Sequence, residues 1–532
     1  MSIGFVSSRI SAARIFTSAL VLLLVGQFSP GYCQIIGDGR WEFGGSDIHN
    51  TRSVDLTNIR LGNVDKLKKK WEFTTMGDVS ATPTVQGGVI YAVDWGGWVH
   101  ALNASNGNSI WSHPLEYYTG NPRSVSRTSP AIIGNLIIIG DQGDMNDVDL
   151  FPSFTPGKTA SVIAINKNTG ALVWRTLVSD HLFSAITSSP VVLLNRVYVG
   201  VCALEEAAGF IPGYVYSSRG KVVALDTLTG RLVWERYMAP LGYTGAAVWG
   251  STPVIDIKRG SLYVATGNNY TVPESVEAQI AADSANGDKY LAKDDYIDAI
   301  VALDLITGAI KWGKRLQGAD TWNVVRGFTP TEFDPAQGPD FDFGSGPNLF
   351  FTTRKGKLVE LLGAGQKSGK YWALDPDNGS VVWSRQVGPG GVTGGIQWGS
   401  ATDGERVYCA VSNSLSKPYI PMGSSLTKTN GLWAALDAGT GELLWQTPDP
   451  LDGKDYGMVT IANGVMFAGS TSGKMYALNG ATGRILWQYD SGSSVVCGPS
   501  IVGDTVYWGT GYRRFSQAFG TGGNKLIAFS LP

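Results

Sequence analysis

Few residues in this chain have both the type and the setting to do chemistry. Glu205 follows the β-branched run Arg196-Val197-Tyr198-Val199-Gly200-Val201, with Glu206 competing for the same register. A carboxylate at a strand end is a hard oxygen ligand suited to calcium. Asn268 follows Thr266-Gly267 after Ser261-Leu262-Tyr263-Val264-Ala265; its amide oxygen can coordinate without adding charge, and it can equally be a turn residue. Asp320, Asp340 and Asp342 are candidate proton acceptors, whereas Asn323 can coordinate or hydrogen-bond but has no pKa suited to general-base work. Strand alternation puts Asp340 and Asp342 on the same side. The four histidines, His49, His100, His113 and His181, are scattered, and no Ser-His-Asp order stands out. No Gly-x-Gly-x-x-Gly occurs in a βαβ setting, so a Rossmann nicotinamide site is unsupported. No Cys-x-x-Cys-His is present, so the chain carries no covalent c-type haem motif.

The elements that position these residues come from a repeated phrase: a small residue, Leu or Ile, Asp or Asn, a Thr-Gly or Asn-Gly turn, then Trp. One copy is Ala302-Leu303-Asp304…Thr307-Gly308…Trp312, and the others end at Trp111, Trp174, Trp234, Trp383, Trp445 and Trp487. Before each lie two short β-branched runs around a turn, as in Thr252-Pro253-Val254-Ile255. Four antiparallel strands per repeat make a propeller blade. The final Asn524–Phe529 stretch is a third strand without its Trp ending, and Trp41-Glu42-Phe43 is the expected source of the missing strand. The expectation is an all-β, eight-bladed β-propeller with tryptophan-docking repeats, closed by N- and C-terminal strands. Residues 141–158, 206–219, 269–297, 326–343 and 413–431 exceed what a blade turn needs. They are expected to gather over one face and cover the axis, where binding groups usually sit.

Composition narrows the function classes. With Lys+Arg 42, Asp+Glu 44 and only 16% charged residues, the chain lacks a basic footprint for nucleic acid. Arg9 and Arg14 precede the apolar run Ala19–Gly26, and Gly31-Tyr32-Cys33-Gln34 offers a small-residue end. Residues 1–33 read as a secretory signal and 34–532 as one propeller domain; the product is expected outside the cell, or in the periplasm of a bacterium. No later apolar stretch is long enough to span a bilayer. Cys33, Cys202, Cys409 and Cys497 form no disulfide framework.

The repeats resemble the tryptophan-docking motifs of the eight-bladed quinoprotein alcohol dehydrogenases, which use pyrroloquinoline quinone (PQQ) and a metal, commonly calcium. Within that superfamily, Ser126-Arg127-Thr128-Ser129-Pro130, Trp322-Asn323 and Gly338-Pro339-Asp340-Phe341-Asp342-Phe343-Gly344 are similar to the polyvinyl-alcohol-dehydrogenase group. The resemblance covers about residues 37–532. It implies Glu205 and Asn268 as metal ligands, with Asn323 as a third, and Trp249 as the floor beneath the quinone ring. It implies Lys367 near the quinone oxygens, Arg127 at its carboxylates, and hydroxyl contacts from Thr187, Ser188 and Ser189. Trp398 echoes the Trp249 motif and would line the funnel. In alcohol-oxidising relatives an aspartate directly follows the tryptophan; here Asn323 stands in its place, and Asp320 is ranked slightly ahead of Asp342 as the substitute.

The implied activity is oxidation of an alcohol or polyol by bound PQQ, with Ca2+ or a similar metal assisting and a separate protein or small-molecule acceptor taking the electrons. Related propellers also serve as assembly scaffolds. Asn323 therefore leaves open a binding or assembly module, or another reaction on the same quinone platform.

Overall fold

In the computed structural model the described residues are 39–144, 160–250, 252–325, 338–513 and 520–532. The expected signal, residues 1–33, lies outside them, as do parts of the insertions at 141–158 and 326–343. Among the described residues no helix is long and apolar enough to cross a membrane.

Eight antiparallel sheets of four principal strands succeed one another along residues 39–532. Blade 1 runs through Thr84–Gln86, Val89–Val93, Trp98–Asn103 and Ser109–Pro114. Blade 3 runs through Val191–Leu193, Arg196–Ala203, Lys221–Asp226 and Leu232–Tyr237, and blade 4 through Val254–Asp256, Ser261–Ala265, Ala299–Asp304 and Ile310–Arg315. Blade 5 spans Asn348–Arg354 to Val381–Gln386, blade 6 Ala401–Thr402 to Leu443–Pro448, and blade 7 Thr460–Ala462 to Ile485–Asp490. The first strands of successive blades adjoin around the axis.

The repeated Trp and Gly have one physical job. Each Trp on a fourth strand donates its indole N–H to a carbonyl of the next blade: Trp111 to Lys167 at 3.0 Å, Trp174 to Thr227 at 2.8 Å, Trp312 to Pro376 at 3.1 Å, Trp445 to Gly480 at 2.9 Å. Its ring covers the next repeat's turn glycine. Gly308 has φ +67°, and a Cβ there would lie 2.5 Å from the Trp234 ring. Only glycine satisfies both the left-handed backbone and the close approach.

The eighth blade joins the chain ends, but not as the sequence suggests. Its fourth strand is Lys68–Thr74, antiparallel to Lys525–Ser530, with Trp71 opposite Ala528. Trp71 docks on Ala104 O of blade 1 at 3.1 Å, and Trp487 docks on Leu67 O at 3.1 Å. This pairing completes blade 8 and ties the N-terminal part of the chain to the C-terminal strand. Trp41-Glu42-Phe43 instead belongs to a strap along the inner strands. Trp41 pairs with Val85 of blade 1, and the carbonyls of Glu42, Ile48, His49, Thr51 and Arg52 accept the N–H of Ile132, Ile255, Leu349, Thr402 and Ile461. Each donor is the second residue of a first strand, so the strap satisfies inner-edge groups that face the axis.

Antiparallel pairing sends the loop after every second strand, and the loop after every fourth, to the same face. The insertions at 206–219, 269–297 and 413–431 follow second strands and therefore open on that face. They carry a 3₁₀ turn at Glu205–Phe210 and the helix Glu274–Ala282.

Candidate active site

The segments entering blades 2, 3 and 6 bring four of the expected residues to one axial cavity. Arg127, Thr187, Ser189 and Trp398 line about 490 Å³ of empty space, part of it open to solvent, together with Gly250, Thr252 and Tyr512. Ser189 Oγ accepts the N–H of Ser129 at 3.0 Å, which ties two neighbouring segments together. The Arg127 guanidinium lies 4.5 Å from the Trp398 ring centroid and 5.9 Å from that of Trp249. The two indoles meet edge to face at 5.5 Å. Burial lowers the Arg127 pKa, and among the described residues no carboxylate pairs with it. A half-buried cation held by aromatic faces suits an anionic aromatic guest.

Trp249 connects this cavity to a group of acids. Thr187 Oγ1 donates to Trp249 O at 2.6 Å and holds its backbone. Trp249 Nε1 donates to Asp342 Oδ2 at 2.8 Å, and Lys367 Nζ reaches the same oxygen at 3.2 Å while also lying 5.2 Å from the Trp249 ring centroid. The other oxygen of Asp342 accepts the N–H of Asn268 at 2.8 Å. A Cβ on Gly267 would come within 2.9 Å of the Asp342 carboxylate, so the glycine preceding Asn268 is what admits it. Lys367 Nζ also binds Asp340 Oδ1 at 2.8 Å. Burial disfavours the lysine's charge, but Asp340, Asp342 and Glu206 outweigh it and hold the amine firmly protonated.

Asn268 and the remaining acids surround this centre. Asn268 Nδ2 donates to the carbonyls of Asn269 at 2.7 Å and Trp322 at 2.8 Å, which leaves its amide oxygen as the atom for a cation. Asp320 is fully buried and accepts the N–H of Asp340 at 3.1 Å and of Phe341 at 2.8 Å. It braces the loop that carries Asp342. Burial, with a smaller push from Asp342, raises Asp320 to about 6. Asp298, just before the third strand of blade 4, is pushed far up by burial and then by Asp320 and Asp342. Asp340 is pushed far up by burial despite Lys367. Glu206, Asp298, Asp320, Asp340 and Asp342 thus share one amine, a strongly negative setting that favours a bound cation. Among the described residues no three His, Cys, Asp or Glu side chains converge as a ready-made metal shell.

Two further expected residues, Glu205 and Asn323, have other partners. Glu205 turns away from the acids: it accepts hydrogen bonds from Tyr214 Oη at 2.7 Å, Ser217 N at 2.7 Å and Ser218 N at 2.8 Å, with Ser218 Oγ close by and His181 Nε2 at 3.4 Å. Burial pushes its pKa up, but His181, Ser218, Tyr214 and Ser217 together win and hold it at about 2. It anchors the 206–219 loop. The register competitor Glu206 is the one raised to about 7, by burial first and then by Asp342, with Lys367 opposing. Asn323 is buried and donates Nδ2 to Tyr270 O at 3.2 Å.

Residues 176–403 match the family model described as glucose/ethanol/alcohol dehydrogenase, beta-propeller domain, and this stretch holds every candidate residue except Arg127. Residues 65–200 and 428–530 match the model described as outer membrane protein assembly factor BamB. The chain is 31% identical to polyvinylalcohol dehydrogenase of Sphingopyxis sp. (strain 113P3), over 92% of this chain and 76% of that one. It is 28% identical to polyvinylalcohol dehydrogenase of Pseudomonas sp., over 92% and 77%. The chain belongs to the polyvinyl-alcohol-dehydrogenase-like group of the PQQ-dependent alcohol dehydrogenases. It is an enzyme of that class, a quinoprotein oxidoreductase acting on alcohols. The crystal structure of quinohemoprotein alcohol dehydrogenase from Comamonas testosteroni shares the fold, with TM-score 0.68, 20% identity and coverage of 97% of this chain and 84% of that one.

Sequence reasoning did not find Asp298, whose only signal is its position before a third strand. It named Asp340 as a candidate proton acceptor beside Asp342, and the Lys367 contact that ties Asp340 to the site spans 27 residues.

Proposed function

We propose that this chain oxidises the secondary alcohols of a polyol, with Asp342 taking the hydroxyl proton. One observation carries the reading: Asp342 is held at once by Trp249 Nε1, Asn268 N and Lys367 Nζ. That joins an aromatic floor, an amide ligand, a cation and a carboxylate in one place. The polyol comes from the relatives named polyvinylalcohol dehydrogenase.

PQQ, when bound, supplies the two-electron acceptor. Arg127 would meet its carboxylates, and Trp249 and Trp398 would wall its ring. Thr187 and Ser189 offer hydroxyl contacts along the cavity. Glu206, the amide oxygen of Asn268 and Asp342 would hold a calcium-class cation by hard oxygens. Lys367 keeps its proton and sets a fixed positive charge beside Trp249 and Asp342. Asp342 is restrained by donors on both oxygens, so it need not reorganise to accept a proton. Asp320 keeps the Asp340–Asp342 loop in place through two backbone N–H groups, and Asn323 is left without an acid–base part.

The 19–26 apolar run supports export, and the missing haem motif supports a separate electron acceptor. The test is titration of the full chain with PQQ and calcium, together with dye-coupled oxidation of secondary alcohols. Turnover that Asp342→Asn abolishes supports the reading; unchanged turnover in that variant refutes it.

A further inference from the structure

Away from the axial site, a second pair of buried acids lacks a positive partner. Asp449 opens the loop that leaves the fourth strand of blade 6, and Asp455 lies near its end, before blade 7. Their residues are 2% and 0% exposed. Asp449 Oδ1 accepts the N–H of Leu451 at 2.7 Å and of Gly453 at 3.1 Å. Its Oδ2 and both oxygens of Asp455 make no hydrogen bond of standard geometry. The adjacent amine is committed elsewhere: Lys454 Nζ donates to Asn413 O at 2.8 Å, Ser416 Oγ at 2.6 Å and Thr429 O at 3.3 Å.

A third oxygen points to a ligand independently of the acids. Tyr476, on the third strand of blade 7, is fully buried, and its hydroxyl makes no hydrogen bond of standard geometry. Burial raises its pKa most, with the Asp449 charge next, Ser472 opposing and Asp455 adding to the rise; its ring lies against Trp433, two residues beyond Gly431. Two glycines press backbone onto this place. A Cβ on Gly453 would lie 2.1 Å from Ser470 Oγ and 3.0 Å from Asp449 Oδ2, and one on Gly431 would lie 2.7 Å from Asp455 Oδ2.

Two buried carboxylates side by side cannot both stay ionised uncompensated. A shared proton would relieve the repulsion through one bond between the acids, whereas a cation would use the remaining oxygens of both together with the tyrosine hydroxyl. Oxygen donors without imidazole or thiolate select a hard cation. We propose that Asp449, Asp455 and Tyr476 bind a calcium-class cation, at a structural site separate from the axial one. The site pins the 413–431 insertion between blades 6 and 7. Asn430 Nδ2 at the end of that insertion donates to Asp449 O at 2.5 Å, and Gly431 packs on Asp455.

The test uses the full chain stripped with a chelator, without quinone, and terbium as the calcium probe. Trp433, with its ring centroid 4.9 Å from that of Tyr476, serves as the antenna for sensitised luminescence. Wild type is expected to bind one equivalent more than Asp455→Asn, and calcium is expected to raise its Tm more than that of the variant. Tyr476→Phe is expected to weaken the same equivalent roughly tenfold. Glu206→Gln, at the axial site, should leave this equivalent in place. Equal stoichiometry and equal calcium response in folded Asp455→Asn would overturn the site in favour of a shared proton. Should that variant not fold, unchanged affinity in Tyr476→Phe overturns it.

Discussion

Replacing Glu205 and Glu206 one at a time by Gln separates a structural acid from a functional one. Glu205 is ionised in a cage of donors, and its pKa falls from 4.5 to about 2 because His181, Ser218, Tyr214 and Ser217 outweigh the burial penalty. At about 1.4 kcal/mol per pH unit, that difference corresponds to about 3 kcal/mol of folding stability. Because the folded pKa is the lower one, the contribution is fully present above 4.5 and is lost as pH falls through 2. A Gln would keep one acceptor but turn an NH2 toward groups that themselves donate. Glu205→Gln is therefore expected to lose about 3 kcal/mol in guanidinium unfolding at pH 7, with the gap to wild type narrowing below pH 4.5. It should bind calcium as wild type does. Glu206→Gln is expected to keep its unfolding midpoint at pH 7, or raise it, and to lose the axial calcium equivalent. If Glu205→Gln is as stable as wild type yet loses calcium, the assignment of the two glutamates is wrong.

Other consequences are direct. Calcium binding must strip the proton from Glu206, which burial and Asp342 raise to about 7; affinity should fall about fivefold between pH 7 and pH 6 by isothermal titration, and Glu206→Gln should flatten that profile. In the metal-free chain the same raised pKa makes stability fall as pH rises from 4.5 through about 7, so urea midpoints should decline more steeply over that window in wild type than in Glu206→Gln, where the other raised acids still contribute. Arg127→Met removes a cation held only by aromatic rings, so the metal-free, quinone-free protein should be no less stable while PQQ affinity falls at least about tenfold by fluorescence titration. Gly308→Ala places a methyl against the Trp234 ring at a left-handed position and should lower stability by about 1–3 kcal/mol in calorimetry, whereas a wild-type Tm would refute the docking argument.

The fold was legible because its determinant is local and repeated: Gly308 or Gly170 sits a fixed few residues before its own Trp, and the contact is remade with each following blade. The closing strand was misread because Trp71 and its sheet partner Ala528 come from opposite ends of the chain, where no repeat spacing connects them. Trp249, Asn268, Lys367 and Asp342 were nameable because each stands at the end of a recognisable strand or motif. The choice between Glu205 and Glu206 was not, since Arg196–Ala203 gives way at once to a 3₁₀ turn, and adjacent residues then face different surroundings. Asp320 was ranked slightly ahead of Asp342 as the substitute for the acid missing at Asn323. Its carboxylate is instead occupied by the backbone of residues 340 and 341, a contact that spans the chain between blades 4 and 5.

The measurement closest to the central claim is a comparison of wild type with Asp342→Asn, by PQQ titration with calcium followed through tryptophan fluorescence and then dye-coupled turnover of a secondary alcohol. Wild type should bind the quinone and turn over. Folded Asp342→Asn should still bind the quinone, through Arg127 and the two indoles, and turn over at most about a hundredth as fast. Turnover by Asp342→Asn at the wild-type rate, or no quinone binding by folded wild type, would contradict the account.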